Sequence, residues 1–249
     1  MLSKSNIKRI TGLYQKKYRK QEGLFVAEGV KVIQELLESS FELEAIYGIE
    51  RSSLHIPAEN KNAFQQITIA ELKKISFLKT PQAALALFKI PTQYEDQHTG
   101  ITVLLDDVRD PGNLGTIIRL CDWFGVTSLV CSTQTVDCYN PKVVQATMGS
   151  LSRIRISYVD ITSYLQEEQR PIYGTFMEGD TIYTATLPEE AVIVMGNEAN
   201  GISDRVAQFV TQKIAIPRFG AMQKTESLNV ATATAICLSE FKRGSVIGT

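Results

Sequence analysis

Apolar and polar positions along the chain switch repeatedly between a short unbroken run and a helical spacing. In the first third, residues 2–20 read as a basic helix ending near Gly23, followed by the apolar run Leu24, Phe25, Val26, Ala27. Glu28, Gly29 and Val30 open a helix through about Glu38, Ala45–Gly48 reads as a strand, and Ala83–Phe88 as another. Thr68–Ile75 carries a helix-start signature, with Thr68 as cap and Glu71 three residues later. This alternation predicts a small α/β domain. The polar stretch 91–100, with Pro91 at one end and Gly100 at the other, reads as a linker. It sets the expected domains at 1–95 and 96–249.

Beyond the linker the strands become almost continuously apolar. Ile101–Leu105, Ser128–Cys131, Ile154–Tyr158, Ala191–Met195 and Lys213–Ile216 are predicted strands, and a further βα unit is predicted over Ile172–Leu187. Helices are predicted at Leu114–Phe124, Pro141–Met148, 203–209 and Leu228–Arg243. Strands apolar on both faces and separated by helices predict a mainly parallel sheet covered on two sides. No internal repeat is visible.

Composition narrows the classes. The 249 residues are 44% hydrophobic and 21% charged, enough apolar content to exclude a disordered or low-complexity chain. No stretch approaches the roughly 18–20 consecutive apolar residues of a membrane span. No secretory leader pattern follows the basic start, so a cytoplasmic location is expected. The four cysteines read as reduced thiols. Cys131 and Cys138 are spaced too widely for a zinc knuckle and have no nearby histidine, so no metal is expected. His55 and His98 are the only histidines, which leaves residues 99–249 without imidazole and argues against Ser-His-Asp or Cys-His chemistry.

The net charge of -1 speaks against a uniformly phosphate-coating surface, but its distribution is uneven. Residues 1–95 hold 14 Lys+Arg against 10 Asp+Glu, and residues 96–249 hold 12 against 17. Seven basic side chains (Lys4, Lys8, Arg9, Lys16, Lys17, Arg19, Lys20) fall in the first twenty residues. They form either a solvated helix face or a phosphate-contacting one.

In a parallel sheet, ligands bind beyond the carboxyl ends of the strands. Three such ends carry unusual loops. The first holds Asp110, Asn113 and Arg119 around a tight turn, six residues bringing Asn113 and Arg119 toward one end of a helix. The second, Met195 to Gly201, places Gly196 where a backbone can approach a ligand closely, beside Asn197 and Glu198. The third ends a strand at Pro217 and brackets a helix start with Ser227 and Asn229. Each loop alone is also an ordinary turn or N-cap. None is a GxGxxG fingerprint or a P-loop.

Taken in order, Asn113, Gly115 and Arg119, then Gly196, Asn197, Glu198 and Gly201, then Ile216, Pro217 and Glu226 through Val230 resemble the three signature motifs of the SpoU (TrmH-like) RNA 2′-O-ribose methyltransferases of the SPOUT superfamily. The resemblance covers about residues 99–249. Phe25 through Gly29 resembles the start of the small α/β substrate-binding domain that often precedes it. The resemblance implies a mainly parallel SPOUT domain with a deep trefoil knot, and a homodimer with its active site near the interface. It further implies S-adenosylmethionine held by Thr175, Met195, Gly196, Asn197, Gly201, Ile216, Pro217 and Leu228. Arg119, Asn113, Glu198, Ser227 and Asn229 are the implied catalytic set. An arginine is too weak an acid to serve as the base. Arg119 is therefore expected to hold a substrate phosphate or the developing alkoxide, with the proton shared with phosphate or water. Asn113 would position Arg119 or the ribose, Glu198 would orient the loops or pair with an arginine, and Ser227 and Asn229 would hold substrate and knot.

The implied substrate is RNA, ribosomal in preference to transfer RNA. The alternatives are a transfer RNA ribose methyltransferase, a non-catalytic RNA-binding or assembly protein, and an enzyme acting on a base nitrogen. Thr116, Thr147 and a polar third loop depart from the family's usual pattern. On this reading, the basic N-terminal part grips RNA, while Arg109, Arg119 and Arg218 line the mouth of the site.

Overall fold

The computed structural model describes residues 2–91, 99–220, 222 and 227–247. The expected linker, except for its ends, and Glu226 of the third motif lie outside the described residues. The chain packs as two compact units. One comprises Met1–Gln93 with Asp137–Arg153, the other Tyr94–Val136 with Ile154–Thr249. The segment Asp137–Arg153, expected in the second domain, therefore belongs with the first unit.

In the first unit a four-stranded sheet runs in the order β1-β4-β2-β3, with β1 at Leu24–Glu28, β2 at Leu43–Gly48, β3 at Phe64–Gln66 and β4 at Ala84–Lys89. β4 is antiparallel to both neighbours, and β3, too short to stand out in the sequence, is parallel to β2. The predicted single basic helix is two: α1 (Lys4–Gly12) and α2 (Lys16–Glu22). The break has a cause. Leu13 turns into the core, and the carbonyls of Leu13 and Tyr14 both accept from Arg19 Nη1 at 2.8 Å. Arg19 is 2% exposed, and its guanidinium also bonds Asp137. Arg19 thus holds the unit together, and Arg9 pairs with Glu22 and Glu44. Lys4, Lys8, Lys16, Lys17 and Lys20 are exposed.

α3 (Val30–Leu37) follows Gly29, whose φ of +88° and lack of Cβ leave room for the Gln82 amide. α4 (Ile69–Ile75) has the predicted capping box between Thr68 and Glu71. Phe25 stacks on Phe88 and meets Tyr139, which ties the segment Asp137–Arg153 to this sheet.

The second unit is built on six parallel strands in the order β10-β8-β9-β5-β6-β7. They are β5 (Ile101–Leu105), β6 (Ser128–Ser132), β7 (Arg155–Val159), β8 (Ile172–Thr181), β9 (Ala191–Met195) and β10 (Gln212–Ala215). β5, β6 and β9 are buried along their whole lengths, as expected for the middle of a sheet covered on both faces. The helices are α5 (Pro111–Trp123), α6 (Pro141–Thr147, in the first unit), α7 (Ile161–Glu167), α8 (Asp204–Ala207) and α9 (Val230–Ile247).

Two expectations fail here. The predicted βα unit over Ile172–Leu187 is a single long strand followed by turns, and α7, absent from the sequence reading, is capped by Asp160, whose Oδ1 accepts from Ser163 N at 2.9 Å. β8 also leaves its ladder. Lys213 pairs with Gly174, but the next residue, Ile214, pairs with Asp180, so residues 175–179 bulge out of the sheet. At Gly179 a Cβ would lie 2.7 Å from the Lys213 carbonyl oxygen.

Candidate active site

The carboxyl ends of β8, β9 and β10 open on one cleft of about 1290 Å³. Its walls are the β8 bulge (Thr175, Phe176, Met177, Glu178), the loop from Met195 to Ile202, the segment from Lys213 to Gly220, and the start of α9 with Ser227, Leu228, Val230 and Ala233. The eight residues expected to hold a cofactor, Thr175, Met195, Gly196, Asn197, Gly201, Ile216, Pro217 and Leu228, all line it. Phe176, Met177, Glu178, Ile182, Phe219 and Met222 also line it and were missed. Gly174 and Gly179, five residues apart within an overlong strand, were the available signal for the bulge.

Gly196 is a close-approach glycine. A Cβ there would lie 2.2 Å from the Gly201 carbonyl carbon and 2.3 Å from Ile202 N. The loop closes on itself by paired backbone bonds between Asn197 and Gly201, each 2.9 Å. Asn197 Oδ1 accepts from Ala199 N and Asn200 N, while its Nδ2 donates to the Asp107 carbonyl. Buried Asp106 accepts from Ser203 N at 2.8 Å, pinning the far end of the same loop.

The three motif loops are tied by side chains. Asp110 caps α5, its Oδ1 accepting from Asn113 N at 2.8 Å. α5 therefore begins at Pro111, three residues before the prediction, because proline is favoured in the first helical turn. Asn113 Nδ2 donates to Glu198 Oε1 at 2.9 Å, and Asn113 Oδ1 accepts from Asn229 Nδ2 at 2.8 Å. Asn229 Oδ1 in turn accepts from Ala231 N and Thr232 N, so it caps α9 and bridges to α5 at once. The Glu198 carboxylate also faces the backbone N–H groups of Arg109 and Asp110, each at 3.4 Å. Glu198 therefore bridges the second loop to the first, and its charge also acts on Arg109.

Arg119 departs from the expectation. Six residues along a helix is about 9 Å of rise, and Arg119 points from a different side of α5 than Asn113 does. It is exposed, is not among the residues lining the cleft, and has no hydrogen bond or ion pair among the described residues. Four residues on, Trp123 is 84% exposed on the same side of α5. Arg218 lines the cleft, whereas Arg109 is held by Asp107 through bonds of 2.8 and 2.7 Å, which raise its pKa. All four cysteines are buried, and none is in a disulfide. Burial pushes Cys237, which lines the cleft, up to about 12, so it remains a thiol at neutral pH and is no nucleophile. Among the described residues no group of three or more metal-ligating side chains occurs, and no helix is long and apolar enough to cross a membrane.

The sequence and the fold are matched by known proteins. The SpoU rRNA Methylase family model matches residues 100–239. The chain belongs to the SpoU methylase family. An MRM3-like substrate binding domain matches residues 4–86. The chain is 30% identical over 237 residues to the Bacillus subtilis 23S rRNA (guanosine(2553)-2′-O)-methyltransferase RlmP, covering 92% of this chain and 93% of that one. Among solved structures, a TrmH-family protein from Porphyromonas gingivalis is 37% identical with a TM-score of 0.89, covering 98% of this chain and 99% of that one. The AdoMet-bound rRNA methyltransferase of Sinorhizobium meliloti is 28% identical with a TM-score of 0.86, covering 98% and 97%.

Proposed function

We propose that this SpoU-family chain transfers a methyl group from S-adenosylmethionine to a ribose 2′-hydroxyl of ribosomal RNA. The observation that carries the reading is the Asn229–Asn113–Glu198 chain, which ties the three strand-end loops together, the second and third of them walling the cleft. The 23S rRNA activity in the name of the Bacillus subtilis relative favours ribosomal over transfer RNA.

The residues present fit S-adenosylmethionine. Gly196 lets the loop fold tightly on its own backbone at the cleft wall, and Met195, Ile216 and Leu228 supply apolar wall beside it. When bound, the sulfonium supplies an electrophilic methyl group. The chain's own work is positioning. Asn113 and Asn229 hold the first and third loops in register, and Glu198 holds the second against the backbone of Arg109 and Asp110. Preset geometry of this kind converts binding into in-line approach. The bulge residues Phe176 and Met177 add apolar side chains to the cleft wall. Arg119 binds a substrate phosphate or the developing alkoxide, and the hydroxyl proton leaves to phosphate or water. Ser227, at the cleft rim, contacts the ribose.

The exposed Arg119 and Trp123 face on α5 supports a homodimer in which a second copy covers Trp123 and Arg119 acts on the facing site. The family's trefoil knot is assigned to the loops after β9 and β10, which wall the same cleft. Five exposed lysines in the first twenty residues support RNA contact by the first unit.

The test is to map 2′-O-methyl positions in total RNA with and without the protein. A ribose methyl blocks alkaline cleavage at its nucleotide. One protected site in large-subunit RNA is expected; a methyl on a base, or none, overturns the reading.

A further inference from the structure

The first unit contains a cavity of about 260 Å³ that methyl transfer leaves unused. Tyr14, Glu28, Phe77, Lys142, Gln145 and Ala146 line it, drawn from four separate stretches of this unit. Its polar group is unusual. Glu28 is 5% exposed, yet among the described residues its carboxylate accepts only two bonds, both neutral, from Phe77 N to Oε1 at 2.7 Å and from Ser76 Oγ to Oε2. Among the described residues no cation pairs with it. A carboxylate has about four acceptor positions, so each oxygen keeps capacity for another donor. Burial raises its pKa, the mark of an anion short of stabilising partners. Beside it the Tyr14 and Phe77 rings lie 5.4 Å apart, and Tyr14 is 47% exposed. Lys142 at the rim is exposed.

An aromatic wall, two adjacent acceptors and a rim cation together match a flat ligand that presents paired N–H donors next to a carbonyl. We propose that this cavity receives an unpaired guanine base of the RNA substrate. Single-stranded bases are read by stacking on aromatic side chains and by hydrogen bonds to their edges. Of the four bases, guanine alone places two donors, N1–H and the N2 amino group, side by side for the two oxygens of Glu28, with O6 next to them for Lys142. Adenine and cytosine would set a ring-nitrogen acceptor against the carboxylate, and uracil a carbonyl. The inference rests on the RNA reading above, but its readout involves no methyl transfer.

The test titrates GMP, AMP, CMP and UMP separately into the isotope-labelled full chain and follows the Phe77 and Ala146 amide resonances. GMP is expected to shift both and to bind about tenfold more tightly than UMP, the discrimination of one bidentate pair. Glu28→Gln should remove that preference, Lys142→Met should weaken GMP selectively, and Tyr14→Ala should weaken all four. Equal affinities, or no shift at Phe77 and Ala146, overturn the proposal. If Glu28→Gln fails to fold, the exposed positions decide: unchanged GMP affinity in both Tyr14→Ala and Lys142→Met also overturns it. Calorimetric titration of the same samples with S-adenosylmethionine separates the two readings. Guanine preference without cofactor binding sinks methyl transfer and leaves the pocket, and the reverse sinks the pocket alone.

Discussion

Asn113 donates its side-chain amide to Glu198 Oε1 at 2.9 Å, joining the ends of β5 and β9 across 85 residues of sequence. The polarity of the contact is forced. An ionised carboxylate only accepts, so Asn113 must turn its Nδ2 toward Glu198, leaving its oxygen for Asn229. Asn113→Ala and Glu198→Ala each remove one end of the same bond and leave the other loop free to shift. Each is expected to lower kcat/KM about tenfold to hundredfold. Because the two act as a unit, the double variant should lose far less than the sum, a coupling of about 1–3 kcal/mol. Additive losses in a double-mutant cycle would show that the bond does no positioning.

Gly196→Ala tests the close approach beyond β9. The new Cβ would lie 2.2 Å from the Gly201 carbonyl carbon, and since both sides of the contact are backbone, no side chain can rotate away. Overpacking of this kind costs about 1–3 kcal/mol. The expected result is a lower melting temperature and a loss of S-adenosylmethionine affinity of about tenfold or more by calorimetry. Wild-type affinity in a folded Gly196→Ala variant would move the cofactor away from this loop.

How much of this was legible in the sequence depended on where the information lies. β5 and β9 were read to the residue because a strand buried on both faces leaves an unbroken apolar run between polar ends. The eight positions expected to hold a cofactor line one cleft because strand-end loops of a parallel sheet share an edge. Three features had no local signature. The β8 bulge exists only once β10 pairs with it and skips from Gly174 to Asp180. The split of the basic helix depends on Arg19 reaching Asp137, which lies 118 residues away. Arg119 was grouped with Asn113 because Pro111 and Gly112 read as a turn; in the structure they begin the helix, and helical geometry carries Arg119 to another side.

Arg119→Ala is expected to reduce kcat by about a hundredfold to a thousandfold, the loss typical of one donor to developing charge. S-Adenosylmethionine affinity should be unchanged, because Arg119 does not line the cleft. Arg119→Lys should recover little, since a lysine cannot reproduce the planar fork. If Arg119 serves the facing site of a two-fold dimer, mixing Arg119→Ala with Asn113→Ala protein should restore about a quarter of wild-type activity. No restoration after exchange would place Arg119 at the site of its own chain.

Trp123 is 84% exposed on α5, a large apolar area for a solitary surface side chain. If it is covered by a second copy, Trp123→Asp would bury an unpaired charge at the interface. Sedimentation should then show a dimer for the wild type and a monomer for the variant, with activity lost together with the dimer. A variant that remains dimeric at micromolar concentration would put the interface elsewhere.

The N-terminal unit carries its own pH signature at Glu71. Hydrogen bonds from the backbone of Thr68 and of Leu2 hold this carboxylate down to about 2, from an ordinary 4.5. A folded-state value below the unfolded one means that the unfolded chain takes up the proton first. The stabilisation is therefore complete above 4.5 and is lost as the pH falls from there toward about 2. Glu71→Gln has no charge to lose. It should start with a lower melting temperature at neutral pH, and the gap to the wild type should close as the pH drops through that window. Melting curves of the two proteins that stay parallel on acidification would show that the Thr68 and Leu2 contacts do not hold the carboxylate in solution.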